Sequence, residues 1–261
     1  MTTAPLASRT TIARTAAAAL LLATLLLVWE ASARHLGLSA LVLPAPSAVA
    51  KALWAGTRSG YFWPHLQATS IELLLGLASG CLLGFVSGVA MGEFAPLRRL
   101  LMPYVVTSQV VPKLALMPLF IVWFGFGLTS TVVITALICF FPLLESTLTA
   151  LRQVDPQRLE LFRMLGATRR QTLVRLKLPA GLPVILAGLR VAVVLALVGA
   201  VVGEFIGANR GLGALIIAAQ GTMDTPLMFA VLVQIALLGL LIYGLTLALE
   251  RKLLQPYTDA V

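Results

Sequence analysis

Charge is scarce in this chain. Asp, Glu, Lys and Arg make up 11% of its 261 residues, whereas a soluble domain carries about 25%. That deficit excludes an ordinary soluble globular fold. Cysteine and histidine number two each. Cys81 and Cys139 lie inside apolar runs with no partner at metal-ligand spacing, so they read as small buried hydrophobes. His35 and His65 stand far apart in one loop and offer no cluster for a catalytic metal. None of the four lysines follows glycine in the G-x-x-x-x-G-K-S/T pattern that cradles nucleotide phosphates. No nucleophile–base constellation is present, which argues against a membrane-embedded enzyme.

What fills the chain is hydrocarbon: 59% of residues are hydrophobic and the mean hydropathy is +0.98. A bilayer core of ~30 Å takes ~20 helical residues to cross, because unpaired backbone groups are too costly in lipid. Six stretches qualify: 14–33, 69–92, 101–126, 129–151, 182–207 and 226–250. The third and fourth are separated only by Gly125-Phe126-Gly127-Leu128-Thr129-Ser130, a tight turn with two glycines. The expectation is an all-α integral membrane protein of about six transmembrane helices.

The net charge of +9 is spread over short loops, which points to membrane orientation and away from nucleic acid. With the N-terminus inside, Arg9, Arg14, Arg98, Arg99, Arg251 and Lys252 are cytoplasmic. The 152–181 loop adds Arg152, Arg158, Arg163, Arg169, Arg170, Arg175 and Lys177. Only Arg34, Lys51, Arg58 and Arg210 fall outside, so both termini are expected in the cytoplasm. Arg9, Arg14, the apolar stretch 15–29 and Ala31-Ser32-Ala33 also mimic a cleavable signal peptide. Glu30 is awkward just before such a site, and an uncleaved first helix is preferred. In the external loop, Ser47 is expected to cap a short helix over 48–56. Trp54, Tyr61, Phe62 and Trp63 suit a membrane–water interface.

The stretch Glu160–Pro179, ELFRMLGATRRQTLVRLKLP, is a charged island between apolar spans. Asp155-Pro156 gives an N-cap followed by proline at the first helical position. Leu159, Phe162 and Leu165 line one face of the ensuing helix, and Gly166 can take the left-handed conformation that ends it. Thr168 can cap a second helix, which runs to Leu178-Pro179, where a turn towards the fifth span is expected. Such a helix fits either insertion into a partner's groove or a resting place on the headgroups.

The order Glu160, Gly166 and Leu176-x-Leu178-Pro179 resembles the E-A-A-x3-G-x9-I-x-L-P loop of permease subunits from ATP-binding-cassette importers. Pro44-Ala45-Pro46-Ser47, Trp123-Phe124-Gly125-Phe126-Gly127, Val154-Asp155-Pro156 and Gly211-Leu212-Gly213 extend the resemblance to the nitrate, sulfonate and taurine type. Leu161 and Phe162 replace the two alanines of the pattern, and Leu176 replaces the isoleucine. The resemblance implies the type I importer permease architecture. It implies a core over 69–252, preceded by a tail, first helix and external loop (1–68) and followed by a C-terminal tail (253–261). It further implies that Glu160, Leu161, Phe162, Gly166, Ala167, Leu176, Leu178 and Pro179 dock on a separate ATP-binding subunit dimer, which uses ATP and Mg, with no cofactor on this chain. A second permease chain, expected to be identical, and an external substrate-binding protein, periplasmic or lipid-anchored, complete the implied assembly beside membrane lipid.

A charge near the bilayer centre costs ~2.5–3.5 kcal/mol on insertion scales, so it ordinarily faces protein or a water-filled cavity. Gln109 and Lys113 beside Pro112, which is expected to kink the third span, and Glu204 in the fifth span are therefore candidates to line a translocation path. The alternative is that Lys113 and Glu204 neutralise each other, or groups of other chains, as structural pairs. Arg190 is expected to snorkel to the surface, and Glu72 and Glu145 to reach an interface. The 214–219 stretch is too short to span and reads as a short outer helix. An ion-coupled secondary transporter with Glu204 as proton carrier is the competing function, but no internal repeat supports it.

Overall fold

The computed structural model describes residues 6–35, 39 and 41–258. Parts of the expected tails, residues 1–5 and 259–261, lie outside the described residues. Two compact units are present among the described residues: those up to Tyr61 with Ala218–Val233, and Phe62–Ile217 with the residues from Gln234 to Thr258.

The first unit begins with α1 (Leu6–His35), whose 16–35 segment is long and apolar enough to cross a membrane. It continues into α2 (Pro46–Arg58). Ala45, not Ser47, is the N-cap of α2 and gives no side-chain cap. The capping acceptor comes from α1 instead. Glu30 takes the Ser47 N–H on Oε2 at 2.9 Å and the Ser47 hydroxyl on Oε1 at 2.8 Å, while Arg34 Nε donates to the same carboxylate at 2.6 Å. In the same unit Trp29 packs against Phe229 with the rings tilted by 48° and centroids 5.8 Å apart, and the Thr225 hydroxyl donates to the Leu41 carbonyl at 2.9 Å.

The second unit is built on α3 (Trp63–Glu93), α4 (Ala95–Val110), α5 (Met117–Phe124), α6 (Leu128–Arg152), α7 (Pro156–Met164), α8 (Arg169–Thr172) and α9 (Leu178–Gly207). α3 lies along α6, and α6 along α9. Glycines 76, 80, 84, 88 and 92 recur every fourth residue on α3, so they stack on one face and let the α6 backbone come close. A Cβ at Gly80 would stand 2.3 Å from the Ala136 carbonyl oxygen, and one at Gly84 2.4 Å from that of Phe140. Leu73, Cys81, Cys139, Leu143, Ile185 and Ala192 close the core behind this contact. Both cysteines are buried, and Cys139 Sγ contacts the Ala192 carbonyl at 3.3 Å.

Among the described residues, five helices are long and apolar enough to span, and α4 with the residues 113–124, bent by 85°, counts as a sixth if that pair is one span. The expected kink at Pro112 is thus a full break. Val111 and Pro112 are extended, a 3₁₀ turn covers Lys113–Leu116, and α5 resumes at Met117. Gly125 and Gly127 adopt φ of +81° and +106°, making the predicted tight turn before α6. The outer segment is a short helix, α10 (Leu212–Gly221), and α11 (Thr225–Thr258) carries the last span.

Three local expectations change. Phe62 is buried, while Trp54, Tyr61 and Trp63 are exposed. Glu72 does not reach an interface: it lies more than two turns into α3 and is 3% exposed. Arg190, expected only to snorkel, also has a partner: it pairs with Glu250 at 3.2 Å while its side chain stays 37% exposed.

Candidate functional site: the 152–181 loop and the outer end of α9

The loop folds as its capping residues dictate. Asp155 Oδ1 accepts the Gln157 N–H at 2.9 Å and Pro156 occupies the first turn of α7, where no N–H is required. Gly166, at φ +69°, ends the helix with its N–H on the Arg163 carbonyl, and Ala167 N–H closes onto Phe162 O, both at 3.0 Å. Thr168 and Gln171 then form a reciprocal capping box at 3.3 and 2.8 Å that starts α8.

Beyond α8 the chain does not turn at Leu178-Pro179. It runs as continuous helix from Arg169 to Gly207, widened to a π turn over Leu173–Lys177. Pro179 has no N–H for the Arg175 carbonyl, so the loosened hydrogen bonding falls where a proline removes a donor. Leu176 is buried in this turn, and Leu178 and Pro179 are half-buried at the start of α9. Lys177 Nζ meets Glu93 Oε1 at 2.6 Å, with both side chains mostly buried, and fastens the loop to the end of α3.

The apolar face that α7 turns to solvent differs from the one the periodicity suggested. Leu161, Met164 and Leu165 are 54%, 82% and 72% exposed, whereas Leu159 and Phe162 are half-buried. Spaced i, i+3, i+4, those three make one contiguous patch beside exposed Glu160. Ala167, behind Gly166, is half-buried.

The three pathway candidates do not come together. Gln109 is exposed on the last turn of α4, and Lys113 is half-buried at the start of the 3₁₀ turn. Glu204 is 1% exposed, and among the described residues it makes no ion pair with Lys113. Its Oε2 accepts the Gly213 N–H at 2.6 Å, and Thr69 and Glu72 of α3 also meet its carboxyl group. The Thr69 hydroxyl oxygen takes the Leu212 N–H at 2.8 Å, and His65 Nδ1 lies 2.9 Å from the Gly211 carbonyl oxygen. Gly211 sits at φ +133° with the Glu204 carboxyl carbon 2.2 Å from where its Cβ would be. This clasp ties the outer end of α9 to α3 and starts α10. Sequence reading missed it, although an acid seven residues before G-x-G at a span's end is its signal.

A family model described as the inner membrane component of binding-protein-dependent transport systems matches residues 80–255, more than half of the chain. The chain belongs to that family. Relatives agree along most of their length. The riboflavin transport system permease protein RibX of Chloroflexus aurantiacus is 40% identical, over 88% of this chain and 86% of its own. The formylaminopyrimidine transport permease protein ThiX of Halalkalibacterium halodurans is 39% identical, over 88% and 91%. The taurine transport system permease protein TauC of Escherichia coli is 35% identical, over 89% and 86%. Among solved structures, the MetNI methionine importer in an inward-facing conformation matches at TM-score 0.61 and 22% identity, covering 74% of this chain and 94% of that one. That likeness establishes the importer permease fold. The protein is a multi-pass membrane permease of the ATP-binding-cassette class for small solutes, which removes the ion-coupled alternative.

Proposed function

We propose that this permease is driven by a separate ATP-binding subunit that grips the 152–181 loop, and that two copies of the chain enclose the solute path. One observation carries the reading: α7 presents Leu161, Met164 and Leu165 to solvent on a short helix held rigidly at both ends. An exposed apolar helix face of this kind is a groove-filling element. Glu160 and Gly166 set its charge and its end. The loop carries seven basic residues, which supports a cytoplasmic position and an inner-membrane location for the protein. One loop per chain and two grooves in an ATPase dimer give two permease chains, taken as two copies of this one, with solute delivered from outside by a binding protein.

The test is gentle purification from native membranes followed by mass spectrometry. An ATPase subunit should accompany the wild-type chain and be lost on Glu160→Ala or Gly166→Val. Wild-type coupling of ATPase to uptake in both variants would sink the mechanism.

For the solute, the two relatives at 40% and 39% identity carry names of heteroaromatic vitamin or precursor transport, against 35% for taurine. They support a nitrogen-heteroaromatic solute over a sulfonate. Uptake of riboflavin, a formylaminopyrimidine and taurine by the reconstituted complex separates the two classes.

A further inference from the structure

Beside the loop, and apart from the exposed face of α7, lies a cavity of about 210 Å³. Its floor is apolar: Val89 and Phe94 at the end of α3, and Leu173 of the π turn. Arg169 and Arg170, both exposed, stand at its rim, and Phe94 is 56% exposed. One acidic residue, Glu93, lines the wall, but Lys177 Nζ at 2.6 Å neutralises it. The rim is thus cationic over a hydrocarbon floor, at the last turn of a helix that spans the membrane.

We infer that this cavity holds an anionic phospholipid, its phosphate on Arg169 and Arg170 and the start of an acyl chain against Val89, Phe94 and Leu173. Arginine suits the phosphate because its planar fork donates two parallel hydrogen bonds. Basic pockets at the cytoplasmic ends of spans are the usual receptors for such headgroups. An acidic peptide would satisfy the rim but leave the apolar floor uncovered, whereas a phospholipid fills both. The lipid would bridge the end of α3 and the root of the loop, the two elements that the Lys177–Glu93 pair already joins. The inference rests on the membrane placement of α3 and does not depend on the ATPase reading.

The test uses the full chain, purified in detergent, stripped of lipid and titrated with phosphatidylglycerol or phosphatidylcholine, with bound lipid counted by native mass spectrometry. Wild type should retain phosphatidylglycerol in preference to phosphatidylcholine, and Arg169→Gln/Arg170→Gln should weaken that retention about tenfold or more. Arg169→Lys/Arg170→Lys should keep most of the charge preference and lose part of the affinity. Val89→Trp, which fills the floor, should lower binding of both lipids. Equal retention of the two lipids by wild type would overturn the proposal on its own, whatever the variants do. So would unchanged phosphatidylglycerol binding in the Gln variant. If that variant keeps the lipid but loses the ATPase subunit, the rim serves a protein and the proposal fails.

Discussion

Glu204 holds the backbone N–H of Gly213 at 2.6 Å, across the turn that separates α9 from α10. The carboxylate thus acts inside the protein as the N-terminal anchor of a short helix. The surrounding backbone is shaped to it, since Gly211 and Gly213 leave no room for a side chain beside it. Glu204→Gln keeps an oxygen acceptor for the Gly213 N–H, so it should accumulate and unfold like wild type. Glu204→Ala should lower the thermal midpoint in detergent clearly. Gly211→Ala should be worse, because a φ of +133° costs a residue with a Cβ about 1–3 kcal/mol before any clash. Equal midpoints for the Gln and Ala variants would remove the anchoring role.

The α3–α6 contact makes a second prediction. Gly80→Val puts atoms into the Ala136 backbone, which cannot withdraw as a flexible side chain would. It should abolish folded protein in the membrane. Leu82→Val, on the exposed side of the same helix at 64% exposure, should stay within about 0.5 kcal/mol of wild type. Folded yield by fluorescence-detected chromatography distinguishes the two.

Lys177 and Glu93 are the third. Each single alanine leaves a mostly buried charge without its partner, and the double alanine removes both. A double-mutant cycle on thermal stability should return a coupling of about 1–3 kcal/mol, with the double variant more stable than additivity predicts. A coupling near zero would mean that the 2.6 Å contact does not fasten the loop.

Exposure of the α7 face separates docking from folding. Met164→Ser/Leu165→Ser removes apolar surface that the isolated chain does not bury, so the chain's melting temperature should hold. Retention of the ATPase subunit should fall about tenfold or more, as for loss of a central apolar anchor. A parallel fall in the chain's own stability would point to an internal role instead.

The first helix yields the fifth prediction. Ala31-Ser32-Ala33 lies within α1, and Glu30, just before it, caps α2 through Ser47. Cleavage there would remove the carboxylate that α2 depends on. Intact-mass measurement of membrane-extracted protein should therefore include the helix, and Glu30→Ala should destabilise the α1–α2 junction.

Several of these features were legible in the residues alone. Five of the six spans have hydropathy strong enough to fix them, and the loop's Asp155, Gly166 and Thr168 each act as their chemistry predicts. The break at Pro112 was visible only as a kink, because a missing donor does not reveal whether the helix bends or stops. Glu204 shows the limit of the rule that charges in lipid face a path: the rule identifies an unusual residue, but the Gly213 N–H nine residues on also meets its carboxyl group. The exposed face of α7 differs from the one the periodicity suggested because nine residues carry too weak a periodicity to show which side is covered. The glycine repeat of α3 was in plain view and went unread, since search for chemistry passes over residues with no side chain.

That repeat has a mechanical consequence. Two helices whose backbones meet at carbonyl distance along four turns cannot rotate freely or slide by a residue or two, because such a shift drives side chains into main chain. α3 and α6 are therefore a single beam. Any relative motion of helices in this unit has to be borne by joints beyond it, such as the break already open at Val111-Pro112.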